Sequence, residues 1–176
     1  MSGHSAESLT VHIEQLSSAS PAPSLVAAKT LLLEYGRFVI AQPGTARFCY
    51  GSLENEAERL PVGYEDQGGG CLLAWIVDEP AGFVAWRALP PNVARNAWEM
   101  KRLWVRSAAR GTGLGRLLAQ AVLDRAIAAN CTAIYLDTVP EAMAAAHRMY
   151  LDLGFVPCPA YNDNPIEGIV YLVKHL

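Results

Sequence analysis

The segment Arg110-Gly-Thr-Gly-Leu-Gly115 joins a strand-like stretch, 98–105, to a run in which Leu114, Leu117, Leu118, Ala121 and Val122 recur at helical spacing. Three glycines at alternate positions let the backbone bend tightly and strip away the side chains that would hide its amides. Those amides fall at a helix N-terminus, where unpaired donors and the helix dipole both favour an anion. Arg110 adds a fixed positive charge and a planar fork suited to phosphate. The chemistry these residues suit is the cradling of a phosphate or pyrophosphate. A Walker loop would need Lys and Ser or Thr after the last glycine, but Gly115 is followed by Arg116 and Leu117. A dinucleotide fingerprint counted from Gly111 would need glycine where Arg116 stands. What remains is R-x-x-G-x-G, on Arg110, Gly113 and Gly115. Such a turn also occurs as a plain structural corner, so the elements around it must decide.

Those elements belong to a chain of 176 residues, of which 52% are hydrophobic and 18% charged, enough for one domain with a proper core. Net charge is −3 and no run of Lys or Arg exceeds two, which argues against nucleic acid or an anionic membrane as partner. Cys49, Cys71, Cys131 and Cys158 are scattered without CxxC pairing, which points to reduced thiols rather than a zinc site or a disulfide framework. His4, His12, His147 and His175 have no partners at ligand spacing, so no metal is expected. The absence of a basic-then-apolar leader and of any long apolar run leads to the expectation of a soluble, cytoplasmic protein.

The pattern along the chain predicts a frayed tail over residues 1–8 and a single domain over 9–176. Within it the spacing predicts a strand at 9–16 and a helix at 25–40, capped by Ser24, with Ala28, Leu31, Leu32, Tyr35, Phe38 and Val39 on one apolar face. A short helix is expected at 53–60, stopped by Pro61. Strands follow at 71–77, 82–89 and 97–106, then the helix after the glycine turn, reaching to about residue 129. A strand at 133–138, a helix at about 141–153 with Gly154 closing its end, and strands at 155–160 and 168–174 complete the chain. The order β-α-α-β-β-β-α-β-α-β-β implies an α/β (α+β) fold: a mixed, mostly antiparallel sheet of about seven strands flanked by about four helices.

That order and the R-x-x-G-x-G loop resemble the GNAT superfamily of N-acetyltransferases. A second stretch, Ala146-His-Arg-Met-Tyr-Leu-Asp-Leu-Gly-Phe155, is similar to the family's late A-x-x-L-Y-x-x-x-G-F helix. The resemblance covers nearly the whole chain. It implies that acetyl-CoA lies in a V-shaped opening between the fourth and fifth strands, beside a bulge in the fourth. Pantetheine then pairs with the backbone of Leu103, Trp104 and Val105, and the pyrophosphate sits on Arg110, Gly111, Thr112, Gly113, Leu114, Gly115 and Arg116. Pantetheine looks like a peptide, so an unpaired strand edge can take it as an extra strand.

The reaction implied is direct attack of an amine on the thioester in a ternary complex. A primary amine is mostly protonated at neutral pH, so a base or a water relay must remove a proton. The resemblance makes Glu99, in the fourth strand, the candidate base; its plainer role is a partner for Lys101 or Arg102. Tyr150 matches the family's general-acid tyrosine, and its plainer role is packing against the sheet. Met143 stands where the family often has a cofactor-contacting asparagine. The acceptor site implied by the resemblance lies on the first two helices, their connecting loop and the last hairpin, which hold Arg47, Tyr50, Tyr64, Tyr161, Asn162 and Asn164 among others. Those residues suit an amine from a small molecule or a peptide. Homodimers are common in the family, and a non-catalytic acyl-CoA-binding module on the same fold is the alternative reading.

Overall fold

In the computed structural model, residues 10–43 and 50–176 are described. The predicted tail, Leu9, Arg47 and Cys49 lie outside them, as does the side chain of Tyr50. Thirteen elements follow one another: β1 (Val11–Gln15), α1 (Ala22–Ile40), α2 (Tyr50–Glu58), α3 (Val62–Glu65), β2 (Gly70–Ile76), β3 (Glu79–Ala88), β4 (Ala97–Val105), a 3-10 turn (Ser107–Ala109), α4 (Leu114–Ala128), β5 (Ala133–Thr138), α5 (Ala144–Asp152), β6 (Val156–Pro157) and β7 (Val170–His175). The seven strands form one sheet in the order β1-β2-β3-β4-β5-β7-β6. All neighbours are antiparallel except β4 and β5.

Strand periodicity divides the core. In β2, Leu72 and Ala74 pack on the α4–α5 side with Leu118, Val122 and Phe155, while Cys71 and Leu73 pack on the α1–α2 side with Leu31, Leu32 and Leu53. A sheet covered on both faces explains why its central strands read as continuous apolar runs. No helix among the described residues is long and apolar enough to cross a membrane.

Several boundaries differ from expectation. The first helix begins at Ala22, capped by the backbone around Pro21 with no side-chain cap, and Ser24 lies inside it, buried. Proline is tolerated in a first helical turn because its missing N–H would have no partner there, so Pro23 extends the helix instead of ending the loop. A fifth helix, α3, follows Pro61 where only a stop was expected. The last helix starts at Ala144 rather than near 141, and β6 keeps only two paired residues.

Candidate active site

Two devices shape the middle of the molecule. β4 pairs with β5 only through residues 97–99 and 133–135, yet β4 runs on to Val105 and β5 to Thr138. Past Glu99, that edge of β4 therefore has no strand beside it. On the other edge, Phe83 pairs with Trp104 and Ala85 with Lys101, so Val84 alone faces both Arg102 and Leu103. This is a β-bulge. Arg102 takes φ 59°, a left-handed conformation uncommon for any residue but glycine. Its guanidinium binds both carboxylate oxygens of Glu56, at 3.1 and 3.0 Å, and lies 5.6 Å from the centre of the Tyr35 ring. Because the bulge adds one residue, consecutive Lys101 and Arg102 both project toward α1 and α2, where alternation alone would send them to opposite faces.

Beyond the bulge opens a groove of about 510 Å³. Leu103, Trp104 and Val105 form one wall, Met143, Ala146, Arg148 and Met149 the other, and Arg110, Gly111, Gly113, Leu114, Gly115 and Arg116 close one end. Gly111 and Gly113 have φ 81° and 86°, and a Cβ on either would meet nothing within 4 Å. No side chain caps α4 at Gly113, and its first amides have no hydrogen-bond acceptor among the described residues. Thr112 closes the turn by donating its hydroxyl to the Ala109 carbonyl at 2.7 Å. Arg110 folds back: its Nε donates to the Val105 carbonyl at 3.1 Å and its guanidinium sits 4.9 Å from the Trp104 ring. Arg116 reaches Asp152 of α5 at 3.4 Å across the end of the groove.

A second cavity, of about 280 Å³, adjoins the groove at Ala142 and Met143 and is lined by Tyr35, Lys101, Arg102, Asp137 and Asn164. Asp137 projects from β5, and its Oδ2 accepts from Asn162 at 3.0 Å and Asn164 at 3.2 Å. Tyr150, on α5, is buried and packs edge-on against Phe155. Its hydroxyl has no hydrogen-bond partner among the described residues, and Tyr150 is not in the lining of the groove or of the 280 Å³ cavity. Burial, with the charges of Tyr35 and Asp137 adding, pushes its pKa well above the usual tyrosine value, so it stays protonated.

Glu99 lies in different surroundings. It is 1% exposed and accepts from Arg87 Nε at 2.6 Å, Tyr161 at 3.0 Å, Asn162 at 3.3 Å and Lys101 at 3.4 Å. Burial alone would raise its pKa, but the charges of Lys101 and Arg87 outweigh that and hold the carboxyl below the usual range. It lines neither cavity described above. The expected acceptor residues separate likewise. Asn164 lines the 280 Å³ cavity, whereas Tyr161, which binds Glu99, and Asn162, which binds both Glu99 and Asp137, do not. Tyr64 lies under α2, hydrogen-bonded to Glu56, beside a third cavity of about 250 Å³ that it shares with Arg59, Arg87 and Lys101.

Sequence reasoning passed over Asp137 and Tyr35. The signal for Asp137 was present: it is the one acid in the strand Ala-Ile-Tyr-Leu-Asp-Thr, near the end where β4 and β5 part.

A model of the acetyltransferase (GNAT) family matches residues 41–155. The chain belongs to the GNAT acetyltransferase family. This GNAT chain is 34% identical over 85 residues to an N-acetyltransferase of Schizosaccharomyces pombe, itself uncharacterised, with 48% of this chain and 52% of that protein aligned. It is 34% identical over 107 residues to the N-acetylaspartate synthetase of Homo sapiens, with 60% of this chain and 34% of that protein aligned. The chain thus spans about half or less of the lengths of these relatives. Its fold matches that of a Salmonella typhimurium protein solved with its cofactor acetyl-CoA, at a TM-score of 0.64 and 16% identity, over 94% of this chain and 93% of that one.

Proposed function

We propose that this GNAT protein moves the acetyl group of acetyl-CoA to an amine by direct attack in a ternary complex. The observation that carries the reading is the parting of β4 from β5, which leaves a bare strand edge running into the uncapped N-terminus of α4. A peptide-like chain ending in a pyrophosphate fits that path: the amides of Leu103 to Val105 along its length, those of Arg110 to Arg116 at its anionic end. The open space over Gly111 and Gly113 supports the fit.

Acetyl-CoA supplies a thioester, whose acetyl carbon the amine attacks. A backbone N–H of β4 past the bulge stabilises the negative charge that develops on the carbonyl oxygen. Tyr150 donates a proton to the departing sulfur; its raised pKa keeps that proton available at neutral pH. Asp137, which lines the cavity next to the groove, accepts a proton from the amine. Glu99, saturated with hydrogen bonds and held ionised, positions Lys101, Tyr161 and Asn162.

Thiol release on mixing the protein with acetyl-CoA and a panel of amines tests this. The human relative's name makes amino acids part of that panel. Amine-dependent release is the expected result. Tight acetyl-CoA binding with no release for any amine would overturn the transferase reading in favour of an acyl-CoA-binding module.

A further inference from the structure

We propose that the acceptor carries a carboxylate beside its amine, with Lys101 holding the carboxylate and Asp137 the amine; this rests on the transferase reading above. Among the described residues Lys101 has one hydrogen-bond partner, Glu99 at 3.4 Å, although its side chain is only 17% exposed. That partner is shared, because Arg87 holds the other Glu99 oxygen at 2.6 Å. Arg102, the next cation, is already matched by Glu56. Lys101 is therefore a largely buried, under-neutralised ammonium with spare donors in the wall of the 280 Å³ cavity. A group that completes it must be an anion small enough to enter.

Asp137 lines the same cavity. Both of its recorded hydrogen bonds fall on Oδ2, and Oδ1 has none among the described residues. Lys101 and Asp137 feel each other's charge yet form no ion pair, so the two ends remain available to something placed between them. An amino carboxylate offers the complementary pair: ammonium to Asp137, carboxylate to Lys101. The cavity adjoins the groove at Ala142 and Met143, which places an amine held by Asp137 in the space next to the groove. The cavity is below the roughly 300–1,000 Å³ of pockets for drug-sized ligands, which suits a molecule of amino-acid size. A polyamine or aminoglycoside would set a second ammonium against Lys101, and like charges in a confined site exclude it.

In the reaction the amine nitrogen bonds to the acetyl carbon as the carbon–sulfur bond breaks. One of the ammonium's two surplus protons leaves through Asp137 to solvent before attack. The sulfur takes a proton from Tyr150, which regains one from the nitrogen by way of solvent. The acceptor's carboxylate is unchanged. The amide product no longer carries the charge that Asp137 held, which favours its release.

The test compares L-alanine and L-aspartate with alaninamide and ethylamine, both in turnover and in binding to the CoA-loaded protein by calorimetry. Alaninamide has the less basic amine, so nucleophile availability favours it and any preference for the acid must come from the carboxylate. The expected preference in kcat/KM is roughly tenfold to a hundredfold, the worth of one charge-assisted hydrogen bond. Lys101→Met should erase that ratio, and Lys101→Arg should restore part of it. Equal or better use of alaninamide by the unaltered protein would overturn the proposal while leaving the transferase reading intact, and needs no variant to fold. Carboxylate-selective binding without turnover of any amine would do the reverse, supporting the role of Lys101 and overturning the transferase reading.

Discussion

Glu99 and Asp137 are carboxylates on adjoining strands whose surroundings set them to different tasks. Glu99 binds two cations, a tyrosine and an amide; without it Lys101 and Tyr161 lose their one hydrogen-bond partner among the described residues, while Arg87 keeps Gln67 and Asn162 keeps Asp137. Glu99→Ala should destabilise the fold by about 3–5 kcal/mol, read as a lowered denaturation midpoint. Asp137 instead keeps an oxygen toward the cavity. For Tyr150, the hydroxyl rather than the ring carries the proposed chemistry. Tyr150→Phe should lower kcat for thiol release by about 10²-fold or more while acetyl-CoA binding changes little. An unchanged kcat would leave Tyr150 as a packing residue against Phe155. The family resemblance singles out Glu99 and Tyr150, neither of which lines the groove or the 280 Å³ cavity. Whether a carboxylate is saturated or open depends on Asn162, Asn164 and Arg87, which come from other strands and loops.

Among the elements, the turn into α4 and the bulge in β4 matter most. Gly113 combines a left-handed backbone with open space over its α-carbon, so a side chain there meets no clash but strains the turn and intrudes where an anion would sit. Gly113→Glu adds a negative charge as well. The expected outcome is loss of the thermal stabilisation that acetyl-CoA or CoA confers, with the midpoint of the unliganded protein falling by only a few degrees, consistent with about 1–2 kcal/mol for an L residue in that conformation. The element β5 was legible to the residue, at Ala133–Thr138, because a short apolar run bounded by turn signals has few alternatives. The start of α1 was not, since Ser24 and Pro23 both read as boundary residues while the helix begins at Ala22. The bulge was expected somewhere in β4 from the family resemblance. Its position at Arg102 follows from the pairing of β3 with β4 and the pull of Glu56, neither of which is visible locally.

For the molecule as a whole, acid stability should reflect its buried carboxylates. Glu99 is held below its ordinary pKa by Lys101 and Arg87 against the effect of burial, and Glu56 by Arg102 in the same way. A group more acidic folded than unfolded stabilises fully above its unfolded pKa, about 4.3 for Glu, and that contribution fades as pH falls through the lower folded value. The denaturation midpoint should therefore drop steeply below about pH 4.3, and Glu99→Gln should flatten part of that slope. An identical slope in the variant would show that Glu99 is not among the groups responsible.

The local sequence determined the strand and helix order, the glycine turn before α4 and the placing of Tyr150 on α5, because each of these rests on residue type and short-range spacing. Only the tertiary structure decided which side chains line the 280 Å³ cavity. Asp137 and Lys101 lie 36 residues apart by number and on different strands, and they share a cavity because β4 and β5 pair briefly and then part. The bulge at Arg102 then turns Lys101 and Arg102 to one face against the alternation that their sequence alone would impose. Such convergence is a property of sheet register, which no short window of sequence carries.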